Sequence, residues 1–450
     1  MKRDFKHEML IKGIKVLNVV FMAFVFGMVL CNTHYGKDFL MRDERMIYIL
    51  CLLFAVIYAL IGKVYDAFYI SIKRISEIIY SQCLSVLITD AIIYIIVTLV
   101  VWKILSVKPF VLMLVAQLII AFIWGYFSHI WYFKVFPARK SAVVYDCRIG
   151  FEKLIEEYGL SDKYSIEKLI KSEDCIKDLD VLADVKTVFL SGIHSKERNI
   201  ILKYCIAKDI QVFVIPRIGD MLMSGAKAIH MFHLPMLQVE RNNVSFEYLF
   251  AKRVVDILVS LVGIVVTSPI MLIVAIAIKL YDGGPVIYSH IRLTKDGKEF
   301  PIYKFRSMKT DAEKDGVARL STGEKDSRIT PVGSVIRKLR LDELPQLLNI
   351  LKGDLSLVGP RPERPEIAKQ YEVDLPEFAL RLRVKAGLTG YAQVYGKYNT
   401  TPYDKLQLDL MYIAHQSIVE DLKILMATVK ILFMPESTEG VEEGKTTAEN

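Results

Sequence analysis

Cysteine is sparse in this chain, with six in 450 residues, at positions 31, 51, 83, 147, 175 and 205. They show no paired spacing, and Cys31, Cys51 and Cys83 lie in or at the ends of apolar segments, so neither a disulfide framework nor a zinc site is supported. An acidic excess is also missing: Lys and Arg number 58 against 50 Asp and Glu, a formal charge of +8. The surplus sits beside apolar segments, at Lys2, Arg3, Lys73, Arg74, Arg139 and Lys140, which is a membrane-topology pattern and not a nucleic-acid one. No small-residue cleavage site follows the first apolar stretch, residues 14–31, because Cys31-Asn32-Thr33-His34 does not resemble one; a retained anchor is expected. A Gly-x-Gly-x-x-Gly fingerprint is lacking where a first βα turn is expected, at Asp146-Cys147-Arg148-Ile149-Gly150, which argues against a dinucleotide.

What the chain has in abundance is apolar residues, 53% of the total, and a membrane region is implied. The length implies two or three units. After the first stretch come residues 46–62, 78–102 and 110–133, each able to cross about 30 Å of hydrocarbon. Lys63, Lys73 and Arg74 lie in one loop, and Lys134, Arg139 and Lys140 follow the fourth span, so both ends of this bundle are expected on the cytoplasmic side. Asp90 falls inside the third span without a chemical partner nearby and reads as a packed or protonated residue, hydrogen-bonded within the bundle. Residues 141–241 turn soluble and α/β, with strands at 142–145, 188–190 and 211–215 and helices at 151–158 and 196–207, a small Rossmann-like sheet. His230 and His233 are spaced to share a helix face but have no acidic or cysteine partner for a metal.

A fifth apolar segment, residues 254–280, lies behind Lys252-Arg253 and carries Ser268-Pro269 near its centre, where proline removes one backbone hydrogen bond and favours a bend. Cations flank it on both sides. Either it crosses with a kink, or it enters and leaves on the cytoplasmic face and keeps the rest of the chain cytoplasmic. Beyond Gly283-Gly284-Pro285 the chain is polar: strands at 286–290 and 300–303, joined by the turn Thr294-Lys295-Asp296-Gly297, lead into Lys304-Phe305-Arg306-Ser307-Met308. Lys304 and Arg306 read as a solvated charged face, or, near an acidic site, as contacts for phosphate or a lipid headgroup.

The densest chemistry is Leu341-Asp342-Glu343-Leu344-Pro345-Gln346, two adjacent carboxylates ahead of a helix that starts at Pro345 and stops at Gly353. Unpaired backbone donors gather at such a helix start, a natural place for phosphate and a metal. Arg337 precedes the pair and Pro360-Arg361-Pro362 comes after the helix. Carboxylates bracketed by two guanidinium groups suit phosphoryl chemistry, since Arg binds phosphate oxygens bidentately. Residues 435–450 are polar, acidic and aperiodic, and read as a disordered tail.

Together with Asp256, Leu357-Val358-Gly359-Pro360-Arg361-Pro362-Glu363, Gly387-Leu388-Thr389-Gly390 and the stretch 405–409, these motifs closely resemble the bacterial sugar transferase family, the monotopic phosphoglycosyl transferases, over roughly residues 246–432. The resemblance implies Asp342 as nucleophile, Glu343 as its partner, Mg²⁺ at the pair, Arg337 and Arg361 as phosphate ligands, and a re-entrant helix of about 252–280 bent at Ser268-Pro269. It further implies transfer of hexose-1-phosphate from a UDP-hexose to undecaprenyl phosphate at the cytoplasmic face of the bacterial inner membrane, the first membrane step of O-antigen, capsule or exopolysaccharide synthesis, with a homodimer plausible and no nucleic-acid partner. Four departures stand out: Arg340 where serine is usual, His290 for glutamine, Tyr391 for tryptophan and Lys397 for arginine.

The expected architecture is thus a four-span α-helical bundle (1–140), a Rossmann-like α/β domain (141–241) and a small α/β catalytic domain with its re-entrant helix (246–434). Two other readings carry different chemistry or none. One is single-step transfer in which Asp342 only holds the metal; the other is a non-catalytic membrane regulator whose Rossmann-like segment senses a nucleotide or sugar. No motif fixes which sugar is carried.

Overall fold

A computed structural model describes residues 2–33, 45–72, 74–241, 244–309, 328–396 and 400–432, with side chains from residue 9 onward. The tail 435–450 and Lys397 lie outside the described residues. The chain forms two compact units, Met1–Ile215 and Pro216–Asn450.

Among the described residues five helices are long and apolar enough to cross a membrane: Met9–Asn32, Arg45–Val64, Ile75–Val101, Val107–Val135 and Phe246–Asp282. The first four pack together. Their outward faces carry apolar side chains such as Leu52, Leu112 and Phe127, while the interior holds Met22, Phe26, Phe54 and Ile93. Phe26 stacks on Phe54 with ring centroids 4.9 Å apart. Some polar side chains inside the bundle pair with one another or with backbone, as hydrocarbon offers them no water: Tyr58 donates to Asn18 Oδ1 at 2.9 Å, and Gln82 Nε2 donates to the Ala67 carbonyl at 2.9 Å. Asp90 is buried in this interior.

The α/β part of the first unit is a parallel sheet in the order β2-β1-β3-β4, with β1 Arg139–Tyr145, β2 Tyr164–Lys171, β3 Thr187–Ser191 and β4 Gln211–Val214. β1 and β3 read as near-continuous apolar runs because both of their faces are covered. β2 is not among the strands expected from the sequence. Its Tyr-Ser-Ile-Glu-Lys-Leu-Ile-Lys alternates in burial, with Ser165, Glu167, Leu169 and Lys171 exposed, as suits an edge strand with one wet face, although charged and apolar residues do not follow that alternation.

The boundary between units falls at 215/216 and not near 241. The helix Ile218–Ser224 places Ile218, Met221 and Leu222 on the hydrophobic core of the second unit, and Gly225 approaches Ala414 so closely that an added Cβ would lie 3.0 Å from its Cα. The hairpin β5 (Lys227–Met231) and β6 (Leu234–Gln238) comes next; His230 is on β5 and His233 in its turn at φ +62°, so the two share no helix face.

The core of this unit gathers Phe300, Ile350, Leu355, Leu406, Leu410 and Tyr412, each almost fully buried and each worth about 1.5–3 kcal/mol of transfer free energy. An antiparallel pair, β7 (Ile287–Leu293) with β8 (Glu299–Phe305), and a short parallel pair, β9 (Ser356–Val358) with β10 (Gly387–Thr389), frame it. Backbones meet at Gly359 and Gly387, where a Cβ on Gly387 would sit 2.1 Å from the Gly359 nitrogen, so neither position admits a side chain.

Both ends of the long helix Phe246–Asp282 are fastened to this core. Near its start, Lys252 pairs with Asp421 at 2.7 Å, and Arg253 donates to the carbonyls of Ile350 and Leu351 at 2.6 and 2.8 Å, satisfying oxygens that the helix Gln346–Lys352 leaves open at its end. Asp256 accepts from the Leu357 amide at 2.9 Å and Ser356 Oγ at 3.2 Å. Near its end, Val274 and Ile278 pack on Phe305 and Ile336, and Asp282 receives Arg306 NH1 at 2.7 Å. The helix runs unbroken across Pro269, and Ser268 Oγ donates at 2.8 Å to the Val265 carbonyl, the acceptor that proline leaves without its amide.

Candidate active site

Local chemistry places the carboxylate pair. Thr330 caps the helix Pro331–Lys338 by accepting from the Gly333 amide at 2.9 Å, and Gly333 touches the Ser307 carbonyl where a Cβ would come within 1.9 Å. Arg337 therefore emerges from the last turn of that helix beside the exit of β8. Arg340 then adopts φ +52°, an uncommon value for a residue with a side chain, and Leu341–Glu343 form a single 3₁₀ turn before Pro345 opens the helix Gln346–Lys352. The pair thus precedes a helix headed by Pro345, but neither carboxylate caps it. Asn349, which carries no motif signal in the sequence, is fully buried; its Oδ1 accepts from the Tyr303 amide at 3.0 Å and its Nδ2 donates to the Pro301 carbonyl at 2.7 Å. That double bond ties the helix to β8 and sets Lys304 against the carboxylates.

Glu343 Oε1 receives Lys304 Nζ at 2.9 Å and Arg361 NH2 at 3.2 Å. Burial favours its neutral form, but Lys304, Arg361 and Arg340 outweigh burial and hold this carboxyl well below the usual range. Asp342 differs. Burial lifts its carboxyl above the usual range, Glu343 adds to the rise, and Lys304, Arg337 and Arg361 offset part of it. Among the described residues its oxygens make no hydrogen bond or ion pair. Two neighbouring acids are therefore pushed apart: one fully ionised and neutralised by cations, the other more basic and open.

Arg361 is held from behind. Arg381, 3% exposed, donates NH2 to the Arg361 carbonyl at 2.8 Å, pairs with Asp409 at 2.7 Å and with Glu363 at 3.4 Å. Glu363 also meets Lys405 and, at 3.7 Å, Arg292. Burial raises its carboxyl, but the three cations outweigh burial and bring it down to about 2. His290 accepts from Arg292 Nε at 2.6 Å, which leaves the ring proton on Nδ1, buried and without a partner among the described residues. Burial, then Arg292, Arg364, Lys304 and Arg361, drive its titration down to about 2, so this imidazole stays neutral beside the cations.

Of the expected site residues, Asp342, Glu343, Lys304 and Arg361 come into direct contact or adjacency, and Arg337 acts on Asp342 through its charge. Arg306 goes elsewhere: it is 7% exposed and bound through both terminal nitrogens to Asp282. Ser268 and Pro269 lie mid-helix. Mg²⁺ fits the donors present, because Asp342 offers uncommitted carboxylate oxygens, a hard donor set suited to an ion that keeps several waters and shares substrate phosphate.

Membrane-length apolar helices, a domain gripping one of them at both ends, and a split-acidity carboxylate pair among guanidinium groups are features that suit a membrane protein meeting phosphate groups. Comparison with known proteins narrows this. Residues 247–435 match the sequence model described as Bacterial sugar transferase. The chain is 37% identical over 255 residues to the UDP-N-acetylgalactosamine-undecaprenyl-phosphate N-acetylgalactosaminephosphotransferase of Aeromonas hydrophila, covering 56% of this chain and 58% of that protein. It is 37% identical over 212 residues to the UDP-glucose:undecaprenyl-phosphate glucose-1-phosphate transferase of Escherichia coli strain K12, covering 46% and 44%. A putative undecaprenyl-phosphate N-acetylgalactosaminyl 1-phosphate transferase of Bacillus subtilis is 47% identical over 135 residues, 30% of this chain and 74% of that protein. The chain belongs to the bacterial sugar transferase family. It spans about half the length of the longer curated relatives it matches.

Proposed function

We propose that this protein transfers a sugar-1-phosphate from a UDP-sugar to undecaprenyl phosphate, releasing UMP, in two steps through Asp342. A carboxylate oxygen of Asp342 attacks the phosphorus nearest the sugar, the bond to the bridging oxygen breaks, and UMP departs with its electron pair. A phosphate oxygen of undecaprenyl phosphate then attacks the same phosphorus and displaces Asp342, restoring the carboxylate and leaving an undecaprenyl-diphosphate sugar. The observation that carries this reading is the contrast within the pair: Glu343 is occupied by Lys304 and Arg361, whereas Asp342 is uncommitted among the described residues and more basic than an ordinary aspartate.

Arg337 and Arg361 are suited to hold the donor's phosphate oxygens, Arg361 through a fork whose backbone Arg381 steadies. Lys304 orients Glu343 and adds positive charge where charge develops on phosphorus. Mg²⁺, held by Asp342 and Glu343 when bound, supplies charge neutralisation for the diphosphate.

The same reading makes Phe246–Asp282 a re-entrant helix and puts the site at the cytoplasmic face of the inner membrane, where nucleotide sugars are made. Supporting it, charged or buried contacts fasten the helix to one unit at Lys252, Arg253 and Asp256 and again at Asp282. A straight helix of 37 residues would measure about 55 Å, beyond the roughly 30 Å of hydrocarbon, and would carry its ends to opposite faces. A dip at Ser268-Pro269 keeps both ends with the domain, and exposed Val265, Val266, Leu272 and Ile273 meet lipid.

Mass spectrometry of the purified protein mixed with UDP-sugars and Mg²⁺, without lipid acceptor, tests the mechanism. A hexose-phosphate adduct on the peptide holding Asp342 is expected, together with exchange of labelled UMP into the donor. Full turnover by Asp342→Asn would end the nucleophile assignment.

A further inference from the structure

The strand order of the first unit's parallel sheet reverses between β1 and β3: β1 is followed in sequence by β2 on one side and then by β3 on the other. In open α/β sheets the crevice beyond the carboxyl ends of the strands at such a point is where ligands bind. Here it holds Asp146 and Cys147, directly after β1, and His194, just after β3, with the carboxylate, thiol and imidazole ligand atoms all within 4.8 Å of one another. We propose that these three side chains form a transition-metal site, and that Zn²⁺ is the ion their donors suit.

The two loops that carry them are locked together before any ion arrives. The Asp146 amide donates to the Ser191 carbonyl at 3.2 Å, Ser191 Oγ donates to the Arg148 carbonyl at 3.0 Å, and the Cys147 thiol donates to the Gly192 carbonyl at 2.9 Å. Gly192 has φ +68°, and a Cβ there would fall 2.8 Å from the Arg148 nitrogen, so only glycine lets the loops approach this closely. His194 Nε2 already lies 3.6 Å from Asp146 Oδ2. Tetrahedral zinc with one sulfur, one nitrogen and one oxygen ligand sets neighbouring donors about 3.4–3.6 Å apart, so closing the site asks for side-chain shifts of roughly 1 Å.

A soft thiolate, an imidazole and a carboxylate match Zn²⁺ and not Mg²⁺ or Ca²⁺, which take oxygen. Three protein ligands leave a fourth position, and the His194 side chain, 62% exposed, leaves the ion a path of entry. Coordination replaces the thiol's bond to Gly192 with a sulfur–metal bond and releases the thiol proton to solvent, so affinity rises with pH. Cys147 is the one exposed cysteine of the six, since Cys175 and Cys205 are buried and the other three lie in membrane-length helices.

The test uses the full chain in detergent, stripped with chelator and titrated with Co²⁺ and then Zn²⁺. One Co²⁺ per chain with a near-ultraviolet thiolate-to-cobalt charge-transfer band, displaced by Zn²⁺, is expected. Cys147→Ser should abolish the band, and His194→Gln and Asp146→Asn should each weaken Zn²⁺ binding tenfold or more. Unchanged melting of chelated Cys147→Ser relative to the chelated parent shows that the fold is kept. Asp342→Asn should leave the band intact, which separates this site from the carboxylate pair. A titration without the band, or a band that survives Cys147→Ser, overturns the proposal.

Discussion

Replacing Glu343 by Gln preserves shape and removes one charge, and the geometry around it sets the consequence for stability. Its carboxylate faces two cations, Lys304 at 2.9 Å and Arg361 at 3.2 Å, with side-chain exposures of 15% for the acid, 19% for Lys304 and 38% for Arg361. Stranding a buried charge costs about 3–5 kcal/mol and losing an exposed pair about 0.2–1 kcal/mol. Lys304 is nearer the first case and Arg361 nearer the second, so Glu343→Gln should lose about 2–4 kcal/mol. For a domain of roughly 200 residues, at about 2–4 °C per kcal/mol, that lowers the melting temperature by about 4–16 °C. The sign with pH comes from the lowered carboxyl: its stabilisation is complete above the ordinary glutamate value of about 4.3 and is lost as pH falls through the lower folded value. The gap between wild type and Glu343→Gln should therefore be full at pH 7 and close in strong acid. Asp342 has the opposite sign. Its carboxyl is raised by burial, so the folded state favours the protonated form, and that preference is lost as pH rises through the folded value. At pH 7 Asp342→Asn should then melt higher than wild type while losing activity. Thermal melting of the three proteins in one detergent, at pH 7 and stepwise through pH 4 into strong acid, measures both. Equal destabilisation by the two substitutions, or a Glu343→Gln protein as stable as wild type at pH 7, would refute the electrostatic picture.

Asp342→Asn should lower UMP release on the order of a thousandfold or more, and Arg361→Lys, which keeps charge but loses the fork, roughly ten- to a hundredfold in initial-rate assays. The acid limb of kcat/KM should follow Asp342, falling at a pH above that of an ordinary aspartate, with no ionisation from His290, which stays neutral down to about 2. Asp409→Asn leaves Arg381, 3% exposed, short of one counter-charge and should cost about 2–4 kcal/mol while raising KM for the donor, because Arg381 also holds the Arg361 backbone. A chain beginning at Pro216 should melt higher than one beginning at Phe246, because the shorter one strips Ile218, Met221 and Leu222 from the core and removes the Pro216 carbonyl from Gln407; equal melting temperatures would show that this helix is dispensable. Cysteine labelling from each face should place positions 254 and 280 on the same side, and labelling of the second from outside alone would remove the re-entrant reading.

Whatever depends on neighbours along the chain was legible in the sequence. The apolar runs that become long helices, the buried strands β1 and β3, the carboxylate pair ahead of Pro345 and the rigid Pro360-Arg361-Pro362 all announce themselves by local period and by backbone restriction. The edge strand β2 escaped because Glu167-Lys168 followed by Leu169-Ile170 breaks the period-two apolar pattern. What only the tertiary structure decided is which charges meet. Lys304 and Arg306 are two residues apart in the chain, yet one faces Glu343 and the other is committed to Asp282 at the end of the long helix. Arg381 reaches Arg361 through a buried network with Glu363 and Asp409, and His194 joins Asp146 and Cys147 because β3 lies beside β1. Composition and spacing record which ions a chain carries. Pairing depends on strand register and helix packing between distant segments, and at contact distance inside a partly dry site those set the charge each group bears.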